Sequence, residues 1–420
     1  MPNTINYTKK FASFRNRTLY EKLEKTDQDF IKGIAYYYRF TFQEFRQIVE
    51  VSRDLDMWGE TKLSTWWEQQ PPPVHRSKEH FFSHLKLFLD ELKNMEKNYG
   101  SNTPIKPKIR NSKKIIVRKR DKKIFGLCPV ASDRTVCCQL RTIDAVENCI
   151  FACTYCTIQT FYSDNVIIEE DIRKKLSTIN IERNRFYHFG TGQSSDSLAF
   201  GNRNGILEAL CEFAKQHPNI LLEFKTKASN IDYFLENQIP KNVVCSWSLN
   251  PSILIKNEEH FTAGLEQRIE SARLLADKGI KVAFHFHPMI YYQGWSQDYP
   301  NIASTLINTF STQEVLFVSF GSVTLIKPVI NKLRDLGNPT KILQMKFVTD
   351  PHGKYTYPDE LKIKMFKHIY NAFSSWQKDV FMYLCMEKPS IWQESLGYVY
   401  NNNDAFERDF GNKTMVKINT

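Results

Sequence analysis

The 420-residue sequence predicts an α/β fold, a parallel sheet curled into a partial (β/α)6 barrel. Three observations carry this reading. From about Cys138, six short β-rich runs alternate with helical segments, the rhythm of strand–helix crossovers that feed one parallel sheet. Six units are too few to close an eight-unit barrel. Polar clusters recur at the ends of the runs, where such sheets gather their chemistry.

Residues 1–100 read as a mostly helical, aromatic-rich extension. Thr41–Leu55 and His80–Asn98 carry apolar residues at helical spacing. Pro71, Pro72 and Pro73 end any helix that contains Trp66 and Trp67. Residues 101–125 hold ten basic residues against one acid, Asp121. They read as a linker or a basic face, either solvated or in contact with phosphate. Within them Ile115-Ile116-Val117 reads as an edge strand.

Residues 126–350 hold the barrel. Its expected strands are Gln139–Glu147, Arg185–Phe189, Leu221–Lys227, Val243–Asn250, Lys281–Ile290 and Glu314–Ser322. Helical patterns such as Ser197–Gln216 and Thr262–Lys278 lie between them. Alternation places Ser246, Ser248 and Asn250 on one strand face, with Cys245, Trp247 and Leu249 on the other. His285 and His287 also share a face, and both can reach the barrel mouth. Residues 351–420 read as an α+β cap, with a helix from Pro358 to Trp376 and a β-like run Val380–Met386.

Composition narrows the class. Hydrophobic residues make up 42% and charged residues 25%, which excludes disorder as the overall state. No run is long and apolar enough for a bilayer, and the N-terminal stretch lacks an apolar signal core. The expectation is a soluble, cytoplasmic protein with no membrane partner. The net charge of +11 suits a phosphate-rich partner as well as a solvated surface. Nine cysteines, an odd number, argue against a disulfide scaffold.

Three of them crowd into Cys149-Ile150-Phe151-Ala152-Cys153-Thr154-Tyr155-Cys156, a C-x3-C-x2-C spacing directly after the first barrel strand. Three thiolates on one tight loop can hold three irons of a [4Fe–4S] cluster and leave the fourth open. The competing reading is a zinc site, with Cys137, Cys138 or a histidine as fourth ligand.

The cysteine pattern with Tyr155 before its last member resembles the radical S-adenosylmethionine (SAM) enzymes. That resemblance implies SAM on the open iron, its reductive cleavage to a 5′-deoxyadenosyl radical, and hydrogen abstraction from substrate. Further segments narrow it: Phe189–Leu198, Leu222–Lys227, Ser246–Pro251, Glu258–Ala263 with Arg268–Glu270, Ala283–Trp295 and Tyr355–Leu361. In order and spacing, over roughly residues 125–395, they resemble the spore photoproduct lyase family. The resemblance implies reversal of a thymine dimer in DNA and a reducing partner such as flavodoxin or ferredoxin. It implies Cys149, Cys153 and Cys156 as cluster ligands. Tyr155, Ser195, Lys227 and Ser248, with His287, are the implied SAM contacts, and Tyr155 and Gln193 the implied catalytic positions. A lysine at a strand end suits a cofactor carboxylate. The lesion base must leave the stack to reach a buried radical, and Tyr291, Tyr292 and Trp295 read as stacking residues or as core.

Two positions depart from the family. Gln193 stands where repair enzymes carry a hydrogen-donating cysteine, and Thr157 where they carry a tyrosine. Three explanations stand side by side. Another thiol such as Cys138 or Cys385 donates the hydrogen; solvent or SAM, through Tyr155, quenches the radical; or the substrate is a different nucleic acid or small molecule.

Overall fold

Runs rich in Val, Ile, Leu and Phe, buried on both faces, build the main sheet, as parallel strands covered on both sides require. The computed structural model describes residues 2–71, 77–100, 113–128, 134–161, 165–350 and 353–420. The sheet's strands are β1 (Phe125–Leu127), β2 (Arg141–Ile143), β3 (Tyr187–Gly190), β4 (Ile220–Thr226), β5 (Val243–Ser248), β6 (Lys281–Met289), β7 (Val315–Ser322) and β8 (Phe381–Leu384). They lie in the order β8-β7-β6-β5-β4-β3-β2-β1. Neighbours from β2 to β8 are parallel, and β1 returns antiparallel on β2. The sheet curls into a half-barrel, the expected fold class. An antiparallel bridge between Val136 and Glu387 links the segment before β2 to the segment after β8.

All six expected barrel strands form. The first divides: Arg141–Ile143 enters the main sheet, while Val146–Glu147 joins a three-stranded sheet with Val166–Glu169 and Ile115–Arg118. Ile115–Arg118 is an edge of that small sheet, as its apolar triplet suggests. Part of the basic segment is therefore structural. Arg120 is buried between Glu169 at 2.9 Å and Glu147 at 3.0 Å. Lys106, Lys108 and Arg110 lie outside the described residues.

The segment read as a cap also builds the sheet, because β8 pairs with β7. The helix Asn403–Asn419 then sets Phe410 against Phe317 and Phe381. Its Glu407 pairs with Arg141 of β2 at 2.6 Å. Helix Ile206–Gln216 buries Leu207, Leu210, Phe213 and Ala214, the spacing of one helical face.

Contacts divide the chain into two compact units. The barrel unit comprises Asn111–Ile290, Gly294–Thr324 and Val348–Thr420; the helical unit comprises Met1–Arg110, Tyr291–Gln293 and Leu325–Phe347. Two short segments inside the 126–350 range thus belong to the helical unit. There helix Phe42–Trp58 starts at a Thr41–Glu44 capping box, which satisfies two backbone donors reciprocally. Rings of Phe11, Tyr20, Phe45 and Phe81 are buried at its centre. Arg334 grips Asp54 at 2.7 Å, and Arg53 Nε donates to the Arg334 carbonyl at 2.9 Å. Gly337 ends helix Lys327–Leu336 at φ +62°, and a Cβ there would lie 1.8 Å from Arg53 Nη2. Among the described residues no helix is long and apolar enough to cross a membrane.

Candidate active site

The cysteine loop is fixed at both ends. Asn148 adopts φ +71°, and its Oδ1 accepts from Cys149 N at 2.8 Å and from Lys113 Nζ at 2.8 Å. Lys113 also donates to the Cys149 carbonyl at 2.7 Å. Farther along, Ala152–Cys153 pairs antiparallel with Glu259–His260, and Thr154 N donates to the Glu258 carbonyl at 2.9 Å. Cys156 N closes a turn on the Cys153 carbonyl at 3.1 Å. Ordinary backbone pairing therefore places the three thiols.

Cys149 and Cys153 are buried and Cys156 is partly exposed. Burial, with Asp196 and Cys156 adding, pushes the Cys149 thiol up to about 12. Burial and nearby Glu259 raise Cys153 as well. Thiolates so placed need bound cations beside them, and a coordinating metal supplies that charge. Among the described residues no three His, Cys, Asp or Glu side chains converge as ligands of one ion. A cube places each thiolate on a separate iron, so its ligands need not converge. The donor set fits a cluster with three protein ligands.

The loop forms one wall of a cavity of about 270 Å³ at the C-terminal ends of the strands. Tyr155, Gln193, Ser195, Lys227, Ser248 and His287 line it with the three cysteines. The nine residues implied as cluster ligands, SAM contacts and catalytic positions therefore meet in one place. Thr157 lines it too.

Their partners differ from simple expectation. Lys227 already has a carboxylate, since its Nζ lies 3.1 Å from Glu259 Oε1. The Tyr155 hydroxyl donates to the same oxygen, and Asn250 Nδ2 joins at 2.7 Å. Arg268 holds Oε2 at 2.6 Å. Burial alone would raise the Glu259 carboxyl; the charges of Lys227 and Arg268 outweigh it and hold it well below the usual carboxylate range. Sequence reading missed Glu259, whose partners come from four separate segments. It also missed Asp196 as an organiser. That carboxylate accepts from Leu198 N at 3.0 Å, Ala199 N at 2.9 Å, Thr226 Oγ1 at 2.7 Å and Lys227 N at 2.7 Å. It ties the loop after β3 to the end of β4. Ser195 Oγ donates to the Asn148 carbonyl at 2.6 Å, which joins that loop to the cysteine loop.

His287 is pushed well below the usual imidazole value by burial, then by Lys225 and His285, so it is neutral at neutral pH. Its ring packs on Gly321, where a Cβ would lie 2.6 Å from Cδ2. His285 shares its strand face but sits deeper. It bonds Glu223 and Ser319 in a buried network with His188 and does not reach the mouth. Cys245 is buried, with nearby Cys211 of helix Ile206–Gln216 adding to the rise of its thiol, on the face away from the cavity. Tyr292 and Trp295 are buried core residues and Tyr291 bonds Glu96 at 2.8 Å, so Tyr292 and Trp295 present no stacking surface.

The family model described as spore photoproduct lyase matches residues 138–380. Spore photoproduct lyase of Clostridium acetobutylicum is 27% identical over 237 residues, 53% of this chain and 70% of that protein. The Bacillus subtilis protein of that name is 26% identical over 170 residues, 39% of this chain and 50% of the relative. A solved spore photoproduct lyase complexed with dinucleoside spore photoproduct matches with a TM-score of 0.55 at 19% identity, over 64% of this chain and 82% of that one. A mutant with bound AdoMet and the same dinucleoside also gives 0.55, at 20% identity, over 64% of this chain and 81% of that one. At those identities the solved structures support the fold. The family match spans more than half of the chain, and the chain belongs to the spore photoproduct lyase family.

Proposed function

We propose that this chain is a radical SAM carbon–carbon lyase that reverses a thymine dimer lesion in DNA. Cys149, Cys153 and Cys156 would hold a [4Fe–4S] cluster with SAM beside it. When bound, the pair supplies one-electron cleavage of the sulfonium and a 5′-deoxyadenosyl radical that takes hydrogen from substrate. The single observation that carries this reading is the cavity itself, where the three cysteines and Tyr155 of their loop meet Gln193, Ser195, Lys227, Ser248 and His287.

The chain's own residues then divide the work. Glu259 fixes Tyr155 and Lys227 against the cluster loop. The Lys227 ammonium remains beside the cavity to meet a cofactor carboxylate, and the Ser248 hydroxyl and neutral His287 offer hydrogen bonds to its amino group or ribose. Asp196 and Ser195 keep the opposite wall in register with the cysteine loop. DNA is the proposed partner, with flavodoxin or ferredoxin as the source of the electron.

A second reading has one specific observation in its favour. Gln193 lines the cavity, and its N–H bond is too strong to return a hydrogen atom to a product radical. The same machinery would then act on a different nucleic-acid or small-molecule substrate. One assay decides: reduced enzyme and SAM are given dinucleotide spore photoproduct, and the repaired thymidine dinucleotide is followed by chromatography. Its formation supports repair. 5′-Deoxyadenosine without repaired dinucleotide supports the second reading.

A further inference from the structure

Four cysteines outside the cavity gather from three chain segments. Cys128 follows β1, and its N–H donates to the Leu140 carbonyl at 2.8 Å, extending the β1–β2 ladder. Cys137 and Cys138 precede β2. Cys385 follows β8, with its N–H on the Phe320 carbonyl at 2.8 Å. The Val136–Glu387 bridge runs the second and third segments antiparallel. Cys138 lies two residues beyond Val136 and Cys385 two residues before Glu387, so both approach the same point of the seam. Asn403 Oδ1 fixes the Cys137 N–H at 2.8 Å. No disulfide joins any of the four.

Their electrostatics agree with the gathering. The Cys138 thiol lies within electrostatic reach of Cys137, Cys385 and Cys128. Lys225 stands next to the group. Its ammonium interacts with Glu223, Cys385 and Cys128, and it also lines the cavity. Among the described residues no carboxylate lies within ion-pair distance of Lys225; Glu223 is engaged by His188 and His285. A half-buried cation without a paired anion, near the Cys128 and Cys385 thiols, asks for negative charge at that place.

We propose that Cys128, Cys137, Cys138 and Cys385 hold a second iron–sulfur cluster, with Lys225 as its counter-charge. Four thiolates complete such a cube and leave no corner for substrate, so its chemistry is electron transfer. A zinc tetrahedron, whose ligands share one centre, is the competing occupant, and the metal count below separates the two. The position between the seam and the Lys225 wall suits entry of an electron from an external one-electron reductant toward the cavity.

The test is independent of the lyase reading. Wild type, a Cys149→Ala/Cys153→Ala/Cys156→Ala variant and a Cys128→Ser/Cys385→Ser variant are reconstituted anaerobically with iron and sulfide. Iron, zinc and labile sulfide are counted, and spin-resonance spectra are taken after dithionite, with and without SAM. The expectation is about eight irons in wild type and about four in each variant. The triple variant keeps a cube signal that SAM does not shift, and the double variant keeps one that SAM does shift. About four irons in wild type with a colourless triple variant, or one zinc in the triple variant, overturns the proposal. A brown triple variant beside a colourless double variant upholds it and defeats the cluster assignment on the Cys149–Cys156 loop. Should the double variant not fold by circular dichroism, the wild-type count and the triple variant still decide.

Discussion

Glu259 and Arg268 form an ion pair of 2.6 Å between two side chains that expose nothing to solvent. With Lys227, Tyr155 and Asn250 on the other oxygen, the carboxylate anchors the cavity floor. Removing one partner of a buried pair leaves an uncompensated charge, at about 3–5 kcal/mol. Glu259→Gln should lower the urea-unfolding free energy by that amount and release Lys227 from its place. An unchanged midpoint would show that the network does not hold the fold.

A second carboxylate gives a pH dependence. Glu314 is held at about 2 by hydrogen bonding to Arg273, with burial opposing; Arg273 Nη1 lies 3.0 Å from its Oε2. Its folded value is depressed, so the stability it adds is present above the unfolded value near 4.5 and is lost as pH falls toward 2. After discount for its partial exposure, the contribution is about 1–2 kcal/mol. Glu314→Gln should remove it at neutral pH and flatten the loss between those two values, read from urea midpoints across pH.

Gly321 leaves room for the His287 ring. A Cβ would come within 2.6 Å of it, and strand backbone gives little way. Gly321→Ala should cost about 1–3 kcal/mol as overpacking and weaken SAM binding in equilibrium dialysis through the displaced imidazole. Equal SAM affinity in the two proteins would remove His287 from the cofactor site.

Gln193→Cys restores a weak S–H bond at the cavity wall. On the proposed reaction, the variant should form more repaired thymidine dinucleotide per 5′-deoxyadenosine than wild type. An unchanged ratio would place hydrogen return elsewhere.

Much of this was legible in the sequence, for a local reason. The six barrel strands are short runs buried on both faces, and the helices between them have their own period. The cysteine loop reveals itself through spacing within eight residues. Glu259 did not, because its meaning depends on Tyr155, Lys227, Asn250 and Arg268, which only the fold unites. Phe381–Leu384 read as part of a cap because four residues among helices do not announce a parallel strand; its pairing with β7 is long-range. Leu325–Phe347 lies between barrel elements in sequence, yet its Arg334 answers Asp54 in the helical unit.

The small sheet has a consequence for solubility. Ile115–Arg118 presents an open margin among the described residues, and Ile115 and Val117 are exposed on it. Such a margin is a template for recruiting a strand from another molecule. Lys114, Arg118 and Lys119 cluster along it, and repulsion between like charges on two copies opposes their stacking. Neutralising those residues should leave the folded chain intact and turn it toward aggregation.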